Sequence, residues 1–350
     1  MSLDKNIQVF LELVRAGLWE KEAYLSKYGE IDYNEVMRLA EMQSLDGLVT
    51  AGIEHAQDVK APQDVVLQFV GNSLQLEQRN LAMNKFVAKL IDNLRKENLY
   101  AVLVKGQGLA QCYERPHWRA SGDIDLLLSD SNYRKAITYI IPLSSSHKNG
   151  GDYSKEYAVT IDDWMIELHG SLRTGLSGRV DRMVDEVQQD VFYGGNVRSW
   201  DNNGTTVFLP SPDNDVFFVF THFIKHFYKE GMNLRQICDW CRLLWTFKDS
   251  LDHELLEKRI RKAGLMSEWN AFSALAVEYL GMPVEAMPLY DVRGKKKAEQ
   301  ILKHILKGEP YSKARDTWAI AKIFPWNTIK FASAIFFNVN GLKIKERIFG

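Results

Sequence analysis

Residues 102–130, VLVKGQGLAQCYERPHWRASGDIDLLLSD, decide the fold. An apolar run ending at Val104 breaks at Lys105-Gly106-Gln107-Gly108, and seventeen residues after Gly106 the triplet Asp123-Ile124-Asp125 opens a second apolar run, Leu126 to Leu128. The pattern predicts a strand, a glycine turn, a short helix and a second strand. Side chains alternate across a strand, so Asp123 and Asp125 project from one face about 7 Å apart along the chain, while Ile124 and Leu126 face the other way. Two carboxylates on one face repel each other unless positive charge lies between them, and hard oxygen ligands favour Mg²⁺ or Mn²⁺ over zinc. The glycines let backbone amides approach an anion closely, and Lys105 brings a point charge. Asp-Ile-Asp alone is a weak signal, because two aspartates on an exposed strand are most often merely solvated. The Lys-Gly turn, Arg119 and the following apolar run turn the reading towards a phosphate and metal site.

This arrangement resembles the DNA polymerase beta-like nucleotidyltransferase superfamily, in which a glycine-containing turn after a strand is followed by Asp-hydrophobic-Asp. More closely, K-G-x-x-L and then R-x-x-x-D-I-D-L-L is similar to a bacterial nucleotidyltransferase family over about residues 30 to 280. The matching residues are Lys105, Gly106, Leu109, Arg119, Asp123, Ile124, Asp125, Leu126 and Leu127. The turn departs from the superfamily pattern: Gln107 stands where a Gly or Ser is common after the first glycine.

The resemblance implies an α+β protein, with a small mixed β-sheet nucleotidyltransferase core flanked by N-terminal and C-terminal helical regions. It also implies transfer of a nucleoside monophosphate from an NTP such as ATP to an acceptor hydroxyl, with release of pyrophosphate. Asp123 and Asp125 would hold two Mg²⁺ (or Mn²⁺) ions, one at the acceptor oxygen and one at the triphosphate. Lys105 and the amides of Gly106, Gln107 and Gly108 would position phosphates, and Arg119 would hold a phosphate or orient the aspartates. The rival reading is a catalytically degenerate scaffold that binds nucleotide or regulates without turnover.

The rest of the chain divides around this core. Residues 1–98 read as helical, with a long proline-free stretch from Val65 to Leu94 after Pro62. The core spans 99–210. Within it, segments near Glu156 to Ile161 and Asp163 to Leu168 read as two strands joined by a tight turn, and 191–209 as a hairpin. Alternation puts Asp163, Met165, Glu167 and His169 on one face of the second strand. Glu167, well inside that strand, is the expected third metal-binding carboxylate, in keeping with the third acid that the superfamily often takes from a later strand. Asp163 reads as a turn residue. Ser131-Asn132 is expected to cap a helix through Ile140, and Ser144 to Gly151 to form a loop. Ser211-Pro212-Asp213 starts a helix, others follow in 211–283, and 284–350 is a basic tail expected to form docked helices.

Three further clusters have competing readings. His222 and His226 stand four apart on a predicted helix, but the sequence between them lacks the Glu of H-E-x-x-H. The family resemblance implies that His222, His226, Arg235 and Asp239 form a structural or substrate-facing network lining the cleft opposite the carboxylates, and His169, in an E-L-H similar to the family pattern, is a further candidate for the cleft lining. Cys238 and Cys241 form a C-x-x-C inside a helical pattern, without a second pair, and read as packed thiols rather than a redox or zinc site. From Asp291 onward 13 Lys/Arg face 5 Asp/Glu, a net +8, which leaves −9 for residues 1–290 of a chain whose net charge is −1. General nucleic-acid binding is therefore not expected. The basic tail, rich in Ile, Phe and Trp between Ile320 and Phe337 and ending in Lys343, Lys345 and Arg347, is read as docked on its domain. Pro325, Asn327, Asn338 and Asn340 favour docking, with contact to an anionic membrane surface as the minor alternative. Three cysteines, no signal-like apolar segment and no apolar run of spanning length lead to the expectation of a cytoplasmic protein.

Overall fold

In the computed structural model, which describes residues 3–147, 155–307 and 313–335, the strands around the Asp-Ile-Asp triplet form the centre of a mixed seven-stranded sheet. The strands are β1 (Ala101–Val104), β2 (Asp123–Leu128), β3 (Ser146–His147), β4 (Glu156–Ile161), β5 (Trp164–His169), β6 (Val197–Asn202) and β7 (Thr205–Pro210), in the order β3-β4-β5-β2-β1-β7-β6. β2 runs antiparallel to β1 and parallel to β5, while β4–β5 and β6–β7 are hairpins. The register opposes Asp125 to Val104 on one side and to Glu167 on the other. Residues paired in this way share a face, so the third acid lies beside the second.

The helices are α1 (Lys5–Trp19), α2 (Tyr33–Gln43), α3 (Asp46–Glu54), α4 (Gln63–Lys96), α5 (Gly106–Ala110), α6 (Asp130–Ile140), α7 (Gly178–Tyr193), α8 (Pro212–Lys229), α9 (Leu234–Phe247), α10 (His253–Ala263), α11 (Met266–Leu280), α12 (Lys295–Ile305), α13 (Lys313–Ile323) and α14 (Pro325–Lys330). Two compact units emerge, one of residues 1–172 and 188–215, the other of residues 173–187 and 216–350. The N-terminal helical region and the sheet thus fall in the same unit.

In the first unit the apolar face of the sheet packs on α4 and α6. Ile124, Leu126 and Leu128 of β2, with Ile166 and Leu168 of β5, join Met83, Val87, Leu90, Ile91 and Leu94 of α4 and Tyr133, Ala136 and Ile140 of α6 in one core. Alternation then leaves Asp123 and Asp125 on the other face. α4 is an unbroken helix despite Gly71, and its Asn80 holds the segment between β1 and β2, donating to two of its carbonyls and accepting from the Gln107 side chain. α6 begins earlier than the Ser131-Asn132 pair suggests: its N-cap is Ser129, whose backbone is extended. Residues 148–151 of the expected loop lie outside the described residues, as do Asn338, Asn340, Lys343, Lys345 and Arg347.

α1 and α3 cross with backbone-to-backbone contact. A Cβ added to Gly17 would lie 2.0 Å from the carbonyl oxygen of Leu48, and one on Gly52 would lie 2.1 Å from that of Leu13. The second unit is built on aromatic rings. Phe220, Phe223 and Phe227 of α8 pack with Trp240 of α9 and Trp269 and Phe272 of α11, and Phe324 and Phe331 dock the end of the described chain onto Phe227 and Tyr228.

Two glycine substitutions separate close packing from helix propensity. Gly52→Ala should lower stability by about 1–3 kcal/mol, because carbonyl oxygen cannot yield to a methyl group at that separation. Gly71→Ala, with nothing within 4 Å of the added carbon, should raise it by about 0.5–1 kcal/mol. Urea titrations of both variants followed by circular dichroism check the opposite signs.

Candidate functional site

The site is assembled where β1 ends. Lys105 has φ 59° and ψ −150°, a conformation that side chains other than glycine rarely adopt. Its carbonyl accepts hydrogen bonds from the amides of Gly108 (3.0 Å) and Leu109 (3.3 Å), which start α5. Gly106 follows at φ 44°. The strained turn sends the Lys105 side chain along the polar face of the sheet, where Nζ lies 2.6 Å from Asp125 Oδ1.

Asp125 is 1% exposed, and its Oδ1 also lies 2.8 Å from His169 Nε2. His169 Nε2 is 3.7 Å from Glu167 Oε2. The parallel β2–β5 register produces this cluster: Glu167 is directly beside Asp125, and His169 is two residues further along the same face. One ligand atom each from Asp125, Glu167 and His169 all lie within 4.8 Å of one another. Asp123, at the start of β2, is half-buried and lies outside that trio, but its charge acts on Lys105 together with those of Asp125 and Glu167. Asp163 is exposed in the turn before β5.

Burial and charge pull these groups apart. Burial would lower the Lys105 pKa, but Asp125, Asp123 and Glu167 raise it above its ordinary value, so the ammonium keeps its proton. Burial alone would push the Asp125 carboxyl up; Lys105 and His169 instead hold it down at about 2. At Glu167 the balance falls the other way. Burial, then the charges of Asp125 and Glu156, push it up to about 7.

The turn and the loop leading to β2 are held from below by α4. Gln107, 2% exposed, donates from Nε2 to Asn80 Oδ1 at 2.9 Å. Asn80 in turn donates from Nδ2 to the carbonyls of His117 (2.7 Å) and Arg119 (2.9 Å). Arg119 is 6% exposed and donates from Nη1 to Ser121 Oγ at 2.8 Å. The Gln107 side chain is thus turned into the α4 interface, and Arg119 braces the approach to Asp123. The amide of Gly108 is already engaged by Lys105, which leaves the Gly106 and Gln107 amides as the members of the expected cradle not bonded to that carbonyl. Gly108 also has a packing role, since a Cβ there would lie 2.7 Å from Leu209 Cδ2.

Two carboxylates and an imidazole form a donor set that fits a divalent cation: carboxylate oxygens suit Mg²⁺ and Mn²⁺, and the imidazole nitrogen favours Mn²⁺ of the two. Asp125, Glu167 and His169 would hold the ion, with Asp123 the next oxygen donor along the strand. The sequence reading placed His169 among cleft-lining residues. Its position on the Glu167 face, two residues on, was the signal that it can also ligate.

His222, His226, Arg235 and Asp239 belong to the second unit. His222 Nε2 and His226 Nε2 are 3.0 Å apart, and His226 Nδ1 lies 2.9 Å from Glu230 Oε2. The His226 bond holds the Glu230 carboxyl down at about 2. Among the described residues no third metal-ligand atom groups with this histidine pair. Arg235 and Asp239 lie on α9, Asp239 buried. Cys238 and Cys241 are free thiols, each 0% exposed, and burial pushes both well above the ordinary thiol range. No helix among the described residues is long and apolar enough to cross a membrane.

An uncharacterised nucleotidyltransferase family matches residues 29–281. The chain belongs to that family. This nucleotidyltransferase match contains the whole cluster from Lys105 to His169 as well as α8 and α9. No curated protein matches the chain. Among solved structures, the crystal structure of an antigenic nucleotidyltransferase-like protein from Paracoccidioides brasiliensis is similar at 14% identity and a TM-score of 0.35, covering 59% of this chain and 94% of that one.

The Glu167 carboxyl gives the site a pH signature. Its pKa rises from 4.5 to about 7 on folding, so its contribution to stability is present below pH 4.5 and is lost as pH rises through 7. Asp125 has the opposite sense, its contribution being present above 3.8 and lost as pH falls through about 2. Cation ligation requires deprotonated ligands, so Glu167 should contribute close to one released proton to Mn²⁺ uptake at about pH 6 and almost none at about pH 8.5. Calorimetry in buffers of different ionisation enthalpy measures the release. Glu167→Gln should lower the release at the lower pH by close to one proton, and an unchanged release in that variant would assign the proton elsewhere.

The buried thiols should react with 5,5′-dithiobis(2-nitrobenzoate) only after denaturant is added. Rapid reaction of two thiols in the folded protein would show that α9 opens locally.

Proposed function

We propose that the protein transfers a nucleoside monophosphate from an NTP to an acceptor hydroxyl with release of pyrophosphate, using a site of the DNA polymerase beta-like type. One observation carries this reading: in a chain of a nucleotidyltransferase family, three carboxylates from two neighbouring parallel strands meet a buried ammonium presented by a strained Lys-Gly turn. Such a cluster costs desolvation free energy that a purely structural role would not require.

Asp123, Asp125 and Glu167 would hold Mg²⁺ or Mn²⁺, with His169 as a further donor. The cation, when bound, would offset the charge of the triphosphate and make the acceptor hydroxyl a better nucleophile. Lys105 Nζ, 2.6 Å from Asp125 Oδ1, would exchange that partner for a phosphate oxygen. The amides of Gly106 and Gln107 would position the same phosphates. Arg119 and Gln107 would act through their hydrogen bonds, keeping the turn and the start of β2 in register. Until it serves as a ligand, His169 Nε2 would keep Asp125 Oδ1 aimed into the cluster. The acceptor hydroxyl would belong to a small molecule, sugar or protein.

The Lys105–Asp125 contact also favours a second reading, a nucleotide-binding or regulatory module without turnover, because an internal cation already offsets the buried carboxylate. Pyrophosphate release from NTPs with Mg²⁺, in the presence of cell extract as acceptor, separates the two. Asp123→Asn/Asp125→Asn should abolish both the release and metal-dependent NTP binding seen by calorimetry. Glu167→Gln should cost at least about tenfold in rate. Asp163→Asn should cost little, since Asp163 is exposed in the turn. Wild-type nucleotide binding without pyrophosphate release would favour the module, and equal binding by the double variant would remove the metal site from either reading.

A further inference from the structure

Three of the most exposed large apolar side chains lie within twelve residues of one another. Trp318 of α13 is 73% exposed, and Trp326 and Ile329 of α14 are 77% and 68% exposed. Their helices are not loosely attached. Ile320, Ile323, Phe324, Thr328 and Phe331 are buried, Phe331 packs on Tyr228 at 5.0 Å between ring centroids, and Asn327 donates to the buried Glu268. Each helix therefore has an inner face that docks and an outer face that is apolar as well. The outer faces also carry cations. Lys322 lies four residues after Trp318, and Lys330 four after Trp326, each on the exposed side. No acid lies between Trp318 and Lys330, and the sequence from 291 to 350 has 13 Lys/Arg against 5 Asp/Glu.

Tryptophan beside lysine narrows the occupant. A twofold contact with a second copy would gather both copies of Lys322 and Lys330, four ammonium groups, into one interface, and the buried centre of protein interfaces is depleted in lysine. A layer of lipid headgroups satisfies both residue types at once: indole rings settle at the boundary between water and hydrocarbon, and ammonium groups meet lipid phosphates. We propose that the outer face of α13 and α14 seats the protein on an anionic bilayer surface, with Trp318 and Trp326 entering the headgroup layer. The helices lie on the surface rather than cross it, since neither approaches spanning length. This inference goes beyond the nucleotidyl-transfer reading and does not rest on it.

The full chain is to be sedimented with phosphatidylcholine vesicles that contain or lack phosphatidylglycerol. The expected result is roughly tenfold stronger binding to the anionic vesicles, reversed by high salt, with a blue shift of tryptophan emission. Trp318→Ser/Trp326→Ser should lose binding and shift together, and Lys322→Glu/Lys330→Glu should lose the preference for phosphatidylglycerol. Thermal midpoints within a degree or two of wild type would show that these exposed changes leave the fold intact. The proposal is overturned if the wild type ignores both vesicle types, if it binds neutral and anionic vesicles equally, or if the tryptophan variant disperses a dimer that forms without lipid.

Discussion

A lysine ammonium, almost enclosed and placed against three carboxylates, is the constraint around which the first unit is built. Asp125 can stay ionised at 1% exposure only because Lys105 Nζ is 2.6 Å away and His169 approaches the same oxygen. Removing the cation would leave an uncompensated buried charge, the costly half of a broken ion pair. The strand order serves that contact. β1 delivers Lys105 at its end, β2 supplies Asp123 and Asp125, and β5, parallel to β2, supplies Glu167 and His169 in the neighbouring row.

Holding a lysine at φ 59°, ψ −150° takes more than the sheet itself. Backbone strain of this kind amounts to about 1–3 kcal/mol and persists only where its surroundings over-determine it. Here the surroundings are α5, whose Gly108 and Leu109 amides close on the Lys105 carbonyl, and α4, whose Asn80 binds the turn through Gln107 and the following loop through two carbonyls. The loop is tied further by Trp118 Nε1 donating to Glu77 and by the Trp118 backbone lying against Gly47 of α3, where no Cβ would fit. The N-terminal helices thus act as a frame for the turn.

Much of this was legible because it depends on short-range rules. Asp-Ile-Asp before an apolar run sets which face carries charge, and Glu167 inside an alternating strand sets where a third acid projects. Asn203-Gly204, which closes the β6–β7 hairpin with both residues at positive φ, marks a turn without any tertiary information. Other features were not legible for equally physical reasons. Nothing local marks a lysine for positive φ, since the conformation is imposed by contacts with residues far along the chain. Whether His169 points at Asp125 depends on the parallel register of β2 and β5, which residue spacing does not specify. The cap of α6 at Ser129 rather than Ser131 reflects a choice among neighbouring serines that backbone geometry decides.

Gln107 shows how a departure from a local pattern is absorbed. A large polar side chain straight after Gly106 would obstruct an approaching phosphate if it pointed outwards from the turn. It points inwards instead, and its amide finds a partner in Asn80, itself fully buried on α4. The backbone on the outer side of the turn is thereby left clear of that side chain, so the position tolerates Gln only in company with a polar residue on the helix beneath. Turn and helix must then change together: a smaller residue at 107 would orphan Asn80 Oδ1 in the core, and an apolar residue at 80 would release both Gln107 and the carbonyls that lead into β2. The geometry of the Lys-Gly turn is in this sense written on α4, twenty-seven residues before the residue it steers.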